Sequence, residues 1–256
     1  MSLSSKVKFF TRLARAYGVF HGQLISDLFD RKGLSAFEQT MRTLGVYRRR
    51  PLLPKVDPAH LLQKETSIRL TQFASGDWQV SSTELGIIVQ LAAEKKPEHI
   101  FEFGTFDGRT SLNLSQNCPS SLLTTLDLPP EDTILPPEKT AGIMIRHLVQ
   151  EGKATQLYGN SQTFDFSPYW GQCDFVFIDA GHGYTEAATD TRTTLKLIEG
   201  RDAVVVWHDY AAWAGVTQAA EEVRDLVASP IELVWVNGTR LAVLRTLDGV
   251  PLKLKG

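Results

Sequence analysis

The chain has 256 residues, 43% apolar and 22% charged, the balance of an ordinary globular protein long enough to bury a large core. No run of about 18 apolar residues occurs, which excludes a transmembrane helix. The opening Met1–Lys8 carries charge without an apolar stretch, so no secretory signal is expected. Cys118 and Cys173 are too few for a metal-ligand spacing or a disulfide framework, and a reducing cytoplasm is the expected setting.

The net charge of −2 is unevenly spread, with +7 on residues 1–50 and −9 on the remainder. A basic arm of this kind can meet nucleic acid or membrane, but a solvated helical face is the commoner origin, and no nucleic-acid partner is expected. Phe9, Phe10, Leu13, Ala14 and Tyr17 recur at helical spacing, and Leu24, Ile25, Leu28 and Phe29 suggest a second helix closed by Gly33. Three prolines within Arg48–Pro58 read as a linker or an extended arm. Residues 1–75 are therefore expected to form a helical appendage and linker. It would cover a ligand pocket or build a homodimer or larger assembly, because its apolar stripes need a surface to bury. Residues 76–256 form the main domain.

Ser81 and Glu84 have capping-box spacing ahead of Ile87, Ile88 and Leu91, so a helix is expected to start there and to end before Pro97. Short apolar runs follow at His99–Phe103, Ser121–Leu126, Ala154–Tyr158, Cys173–Ile178 and Ala203–Trp207. Helix-like segments at Arg109–Ser115, Lys139–Gln150 and Glu186–Ile198 separate them. This alternation predicts an α/β, doubly wound, Rossmann-like parallel sheet with both faces covered. Ile231–Val236 and Thr239–Arg245, joined by Asn237-Gly238, predict an antiparallel hairpin with a type I′ turn.

Ligands of such sheets bind at the carboxyl ends of the strands. The first end reads Glu102-Phe103-Gly104-Thr105-Phe106-Asp107-Gly108-Arg109-Thr110-Ser111. Two glycines allow a sharp turn and close backbone approach. The loop has one residue too many for the dinucleotide fingerprint, and Asp107 would repel a pyrophosphate but suit an ammonium or sulfonium group. The next strand ends in Asp127, an acid placed to accept the hydroxyls of a ribose. Beyond it, Gly159-Asn160-Ser161-Gln162 offers small polar groups to a base edge.

These segments, with Asp174–Asp179, resemble in order and spacing the motifs of class I S-adenosylmethionine-dependent methyltransferases. They are most similar to the catechol O-methyltransferase type and to bacterial O-methyltransferases of sugar and polyketide pathways. The resemblance places the cofactor-binding core near residues 97–246. It implies a seven-stranded sheet whose seventh strand is antiparallel, in agreement with the hairpin. It also implies cofactor contacts from Glu102, Gly104, Thr105, Phe106, Asp107, Gly108, Thr110, Ser111, Asp127, Leu128, Asn160, Ser161 and Asp179. An Asp-x-x-His-x-Tyr segment at Asp179–Tyr184 and a His-Asp-Tyr segment at His208–Tyr210 fit the same group.

In the family's strand order these last two segments are neighbours, so Asp179, His182, His208 and Asp209 should converge beside the cofactor's methyl group. The family's three metal ligands fall on Asp179, His208 and Asp209 here, with an imidazole at one position where an acid is usual. Mg²⁺ or Mn²⁺ is the expected metal. Asp179, His182 and His208 are the catalytic candidates, a histidine serving as base. Asp190 reads as an acid on a helix surface, with an extra metal ligand as the alternative, Tyr184 and Tyr210 as pocket or packing residues, and Trp207, Trp213 and Trp235 as core and hairpin packing. The expected reaction is methyl transfer to a hydroxyl oxygen of a small molecule, such as a sugar, polyketide or phenol. The alternatives are a metal-independent enzyme with a histidine base and a non-catalytic cofactor-binding protein. Nucleic-acid methylation is disfavoured, because Asp179-Ala180-Gly181-His182 stands where an amine-methylating Asn-Pro-Pro-Tyr motif would be.

Overall fold

The computed structural model describes residues 50–62, 65–76, 79–132 and 141–255. The two helices expected before residue 35 and the start of the one expected from Lys139 lie outside the described residues. The chain separates into compact units Met1–Arg50 and Pro51–Gly256. Residues 51–75, grouped by sequence with the appendage, thus fall with the sheet. Among the described residues no helix is long and apolar enough to cross a membrane.

The second unit contains strands β1 (Lys55–Val56), β2 (His99–Phe103), β3 (Leu122–Asp127), β4 (Ala154–Tyr158), β5 (Phe175–Ile178), β6 (Val204–Trp207), β7 (Ile231–Val236) and β8 (Ala242–Thr246). Its helices are α1 (Pro58–Leu61), α2 (Ser82–Lys95), α3 (Arg109–Asn117), α4 (Arg146–Gln150), α5 (Tyr184–Leu197) and α6 (Ala214–Leu226). The sheet order is β1-β7-β8-β6-β5-β2-β3-β4. Strands β2 to β6 are mutually parallel where they pair, and β8 runs antiparallel to both β6 and β7. The chain winds outward from β2 to β4, then returns to lay β5 on the other side of β2. The carboxyl ends of β2 and β5 therefore flank the topological switch point, where such sheets open a crevice.

Period-two alternation divides the core between the two faces. Phe101, Phe103, Val176, Ile178, Val205 and Trp207 pack with Ala187, Leu195, Ala219 and Val223 of α5 and α6. Ile100, Phe175, Phe177, Val204 and Val206 pack with Leu85, Ile88 and Leu112 of α2 and α3. The capping box forms as the sequence predicts: the Ser81 hydroxyl caps the Glu84 amide, and Glu84 accepts the Ser81 amide. The helix α6 went unread, because the stretch after Trp207 opens with Tyr210-Ala211-Ala212-Trp213, without a strong start signal.

Two expectations are corrected. The Asn237-Gly238 turn is not type I′, which needs a positive φ at both residues. Only Gly238 is left-handed, at φ +77°, and the Val236 carbonyl accepts from the Thr239 amide at 3.2 Å. The seven expected strands are present, and an eighth joins them. Within the proline-rich arm, β1 pairs in parallel with β7, Lys55 opposite Trp235, and covers the sheet edge. Tyr210 holds this arm down. Its hydroxyl accepts from the Leu53 amide at 3.1 Å and donates to Glu221 at 2.9 Å, while Glu221 takes the Leu52 amide at 2.7 Å.

Candidate active site at the carboxyl ends of β2, β5 and β6

The loop after β2 turns because Gly104 sits at φ +86°, and a Cβ there would meet the Asp179 carbonyl oxygen at 2.2 Å. Residue 104 must therefore be glycine if β2 and β5 are to end side by side. Phe106, at φ +49°, follows in the same sense. Asp127 at the end of β3 fastens the loop: its carboxylate accepts from Phe106 N–H at 2.6 Å and from Leu128 N–H at 2.7 Å. A carboxylate has about four acceptor sites, so capacity remains for a ligand hydroxyl. Burial raises the Asp127 carboxyl, against the lowering effect of those amides.

The cofactor residues named from sequence fall into two layers. Asp107, Thr110, Asp127, Leu128, Asn160 and Ser161 are partly or fully exposed at this end of the sheet. Glu102, Thr105 and Ser111 are buried beneath the loop, at 0%, 3% and 0% exposure. Ser111 donates to Glu102, and Thr105 shares a 2.6 Å hydrogen bond with Thr125. These three buttress the loop from behind. Burial pushes the Glu102 carboxyl up to about 8, against hydrogen bonds from Ser111 and Thr125.

Across the switch point, β5 ends in Asp179 and β6 in His208 and Asp209. Asp209, at φ +60°, turns its carboxylate back toward β5. His182 Nε2 lies 2.8 Å from Asp209 Oδ2, and its ring stacks on Trp213 at 4.9 Å between centroids. Ligand atoms of Asp179, His182 and Asp209 all lie within 4.8 Å of one another, close enough for one metal ion to touch all three. Arg240 approaches Asp209 from the hairpin side at 3.2 Å.

His208 lies deeper than His182. It is buried, with Nδ1 3.1 Å from Asp179 and 3.7 Å from Asp209, and Nε2 3.5 Å from Glu84. An imidazole with a carboxylate at each nitrogen is stabilised as the cation, which donates on both sides and has no lone pair for a metal. Burial opposes that charge, but Asp179, Glu84 and Asp209 together raise the His208 pKa to about 10. Burial likewise opposes ionisation of Glu84, yet hydrogen bonds from His208, the Arg240 amide and Ser81 bring it to about 2. Asp209 is lowered against burial by His182, His208 and Arg240. Both histidines therefore stand beside the two acids: His182 completes the cluster of three possible ligands, and His208 lies deeper, between Asp179 and Glu84.

Sequence reasoning missed Glu84 as a neighbour of this cluster. Its only signal was the capping box, which accounts for one of its duties. Trp213 packs against the core, as expected, and also stacks on His182 at the edge of the site. Tyr210 is wholly structural, and Tyr184 is exposed with its hydroxyl on Glu222 at 2.8 Å. Asp190 is not a surface acid: it is 1% exposed on α5, and burial pushes it to about 6.

Residues 101–210 match a family model described as a methyltransferase domain. No curated protein sequence matches the chain. Among solved structures, the SAH-bound Podospora anserina methyltransferase PaMTH1 is similar with a TM-score of 0.51 at 16% identity, over 67% of this chain and 81% of that one. The O-methyltransferase from Bacillus cereus in complex with SAH gives 0.50 at 17%, over 68% and 84%. The O-methyltransferase TomG from Streptomyces achromogenes, involved in tomaymycin synthesis and solved with SAM, gives 0.50 at 18%, over 73% and 93%. At these identities the likeness is one of fold.

Proposed function

We propose that the chain, whose residues 101–210 match a methyltransferase-domain model, is a class I S-adenosylmethionine-dependent enzyme that methylates a hydroxyl oxygen of a small molecule with help from a divalent cation. The observation that carries this reading is the convergence of Asp179, His182 and Asp209 within 4.8 Å at the ends of two adjacent strands, across the switch point from the Gly104–Gly108 loop. Two carboxylates and an imidazole form a donor set that suits Mg²⁺ or, better, Mn²⁺. A cation held there would supply positive charge that lowers the pKa of an acceptor hydroxyl.

The chain's own residues supply the rest. The loop and Asp127 would hold the cofactor beside the acidic cluster, and Asp107 would offer a negative charge to its cationic end. Asp179 and Asp209 hold the acceptor oxygen's surroundings fixed, so that nucleophile and methyl meet in line. His208, locked between Glu84 and Asp179, keeps Asp179 oriented and offsets the crowding of three carboxylates in one buried region.

A second reading is favoured by the His182–Asp209 contact of 2.8 Å. That pair has the geometry of a base with its orienting acid, in which His182 takes the hydroxyl proton directly. Exhaustive chelation separates the two. With a phenolic, sugar or polyketide hydroxyl acceptor, the metal reading expects activity to vanish with EDTA and to return with Mg²⁺ or Mn²⁺. Asp209→Ala should then cost at least about 100-fold in turnover, as expected for a lost group acting in the transition state, with S-adenosylhomocysteine binding retained. Full activity after chelation refutes the metal and leaves His182 as base. Cofactor binding without turnover on any such acceptor refutes both.

A further inference from the structure

Ahead of α2 the chain runs along α3 without regular secondary structure, held by α3 side chains four residues apart. Asn117 accepts from the Arg69 amide at 2.8 Å and donates to the Arg69 carbonyl at 2.7 Å. Asn113 treats Thr71 the same way, at 2.8 and 3.0 Å. Each carboxamide presents the donor and acceptor that a neighbouring β-strand would present. The spacing matches physically: four helical residues rise about 6 Å, and two extended residues span about 6.6 Å.

One turn closer to the cofactor loop, Arg109 donates to the carbonyls of Gln72, Phe73 and Val80 at 2.6, 2.7 and 2.8 Å. Arg109 is 2% exposed and Asn113 is fully buried. Polar groups so deep are costly unless paired, and most of the hydrogen bonds these side chains make go to the main chain of this segment. The segment ends on the cofactor loop itself. Gln79 Nε2 donates to Asp107 Oδ2, while Asp107 Oδ1 accepts from the Arg109 amide at 3.0 Å.

We propose that Arg109, Asn113 and Asn117 are positioning residues that hold residues 69–76 as a strap beside the cofactor loop, with Gln79 as its latch on Asp107, and that release of the latch controls the escape of S-adenosylhomocysteine. This rests on the reading of the Gly104–Gly108 loop as the cofactor site. The ladder sets the strap's register, so a slip of the strap moves Gln79 off Asp107. The latch hydrogen bond ends on a carboxylate, which makes it stronger than a bond between neutral groups.

The test is stopped-flow dissociation of S-adenosylhomocysteine from the full chain, with the affinity measured alongside. Gln79→Ala should raise the dissociation rate about tenfold, the size of one such bond lost at a partly solvated place. Gln79→Glu, which sets a like charge beside Asp107, should raise it further. Asn117→Ala, at the half-exposed far end of the ladder, should act in the same direction although it lies two turns from the loop. Association rates should stay within about twofold, a split that general destabilisation does not produce. Dissociation rates equal to wild type in all three variants overturn the strap and leave the cofactor reading standing. A wild-type chain that does not bind S-adenosylhomocysteine removes the cofactor reading, and the strap with it.

Discussion

Replacing Glu102 by glutamine should make the protein more stable at neutral and alkaline pH while leaving it nearly unchanged in acid. Glu102 lies on the α2/α3 face of β2, fully buried, with one oxygen taking the Ser111 hydroxyl and the other without a hydrogen-bond partner. Burial raises its pKa from 4.5 to about 8, so the folded chain keeps a proton that the unfolded chain releases. Stability is then full below pH 4.5 and falls as pH rises toward 8, by about 1.4 kcal/mol per unit. Above the folded pKa both states are ionised and the slope ends. The total penalty is roughly 5 kcal/mol, with roughly 3 kcal/mol already incurred at pH 7. Glutamine keeps the shape and the Ser111 contact but carries no charge at any pH. Urea unfolding of both proteins at pH 5, 6, 7 and 8 reads the effect, because titrations elsewhere cancel in the difference. The gap in favour of Glu102→Gln should widen by about 1 kcal/mol or more per pH unit across pH 5–8. A gap that stays constant with pH refutes the buried, protonated carboxyl.

Asp127→Ala should weaken S-adenosylhomocysteine binding by roughly 1–3 kcal/mol, since ribose hydroxyls would lose their acceptor and Phe106 N–H its anchor. Calorimetry measures it directly, and an unchanged dissociation constant removes Asp127 from the ribose role. Tyr210→Phe should cost roughly 1–3 kcal/mol of stability, because the buried Leu53 amide loses this acceptor and Glu221 a donor. A urea midpoint equal to that of wild type would show that the arm does not depend on Tyr210.

How much of this was legible in the sequence depended on whether the signal was local. The helix α2 could be read because both halves of its capping box lie three residues apart. The strands β2 to β6 could be read because each is a short apolar run cut off by a polar turn. Asp127, Asp179 and Asp209 stood out for the same reason, as acids at the ends of such runs. The turn at Asn237-Gly238 was placed correctly and typed wrongly, because dipeptide preference does not fix the φ of asparagine.

What the sequence by itself determined was the alternation of strand and helix, the antiparallel closing hairpin, and the set of polar residues gathered at one end of the sheet. Tertiary structure alone decided how those residues share the work. His182 and His208 are the same residue type, each within three positions of an aspartate. Only the fold puts carboxylates at both nitrogens of His208, one of them from Glu84 on α2, and leaves His182 facing Asp209. The same holds for β1 and for the ladder of Asn113 and Asn117, whose partners are main-chain groups of distant residues. A backbone amide has no letter in the sequence. Contacts made to it are decided by where the chain passes, and that is settled by packing of the whole sheet.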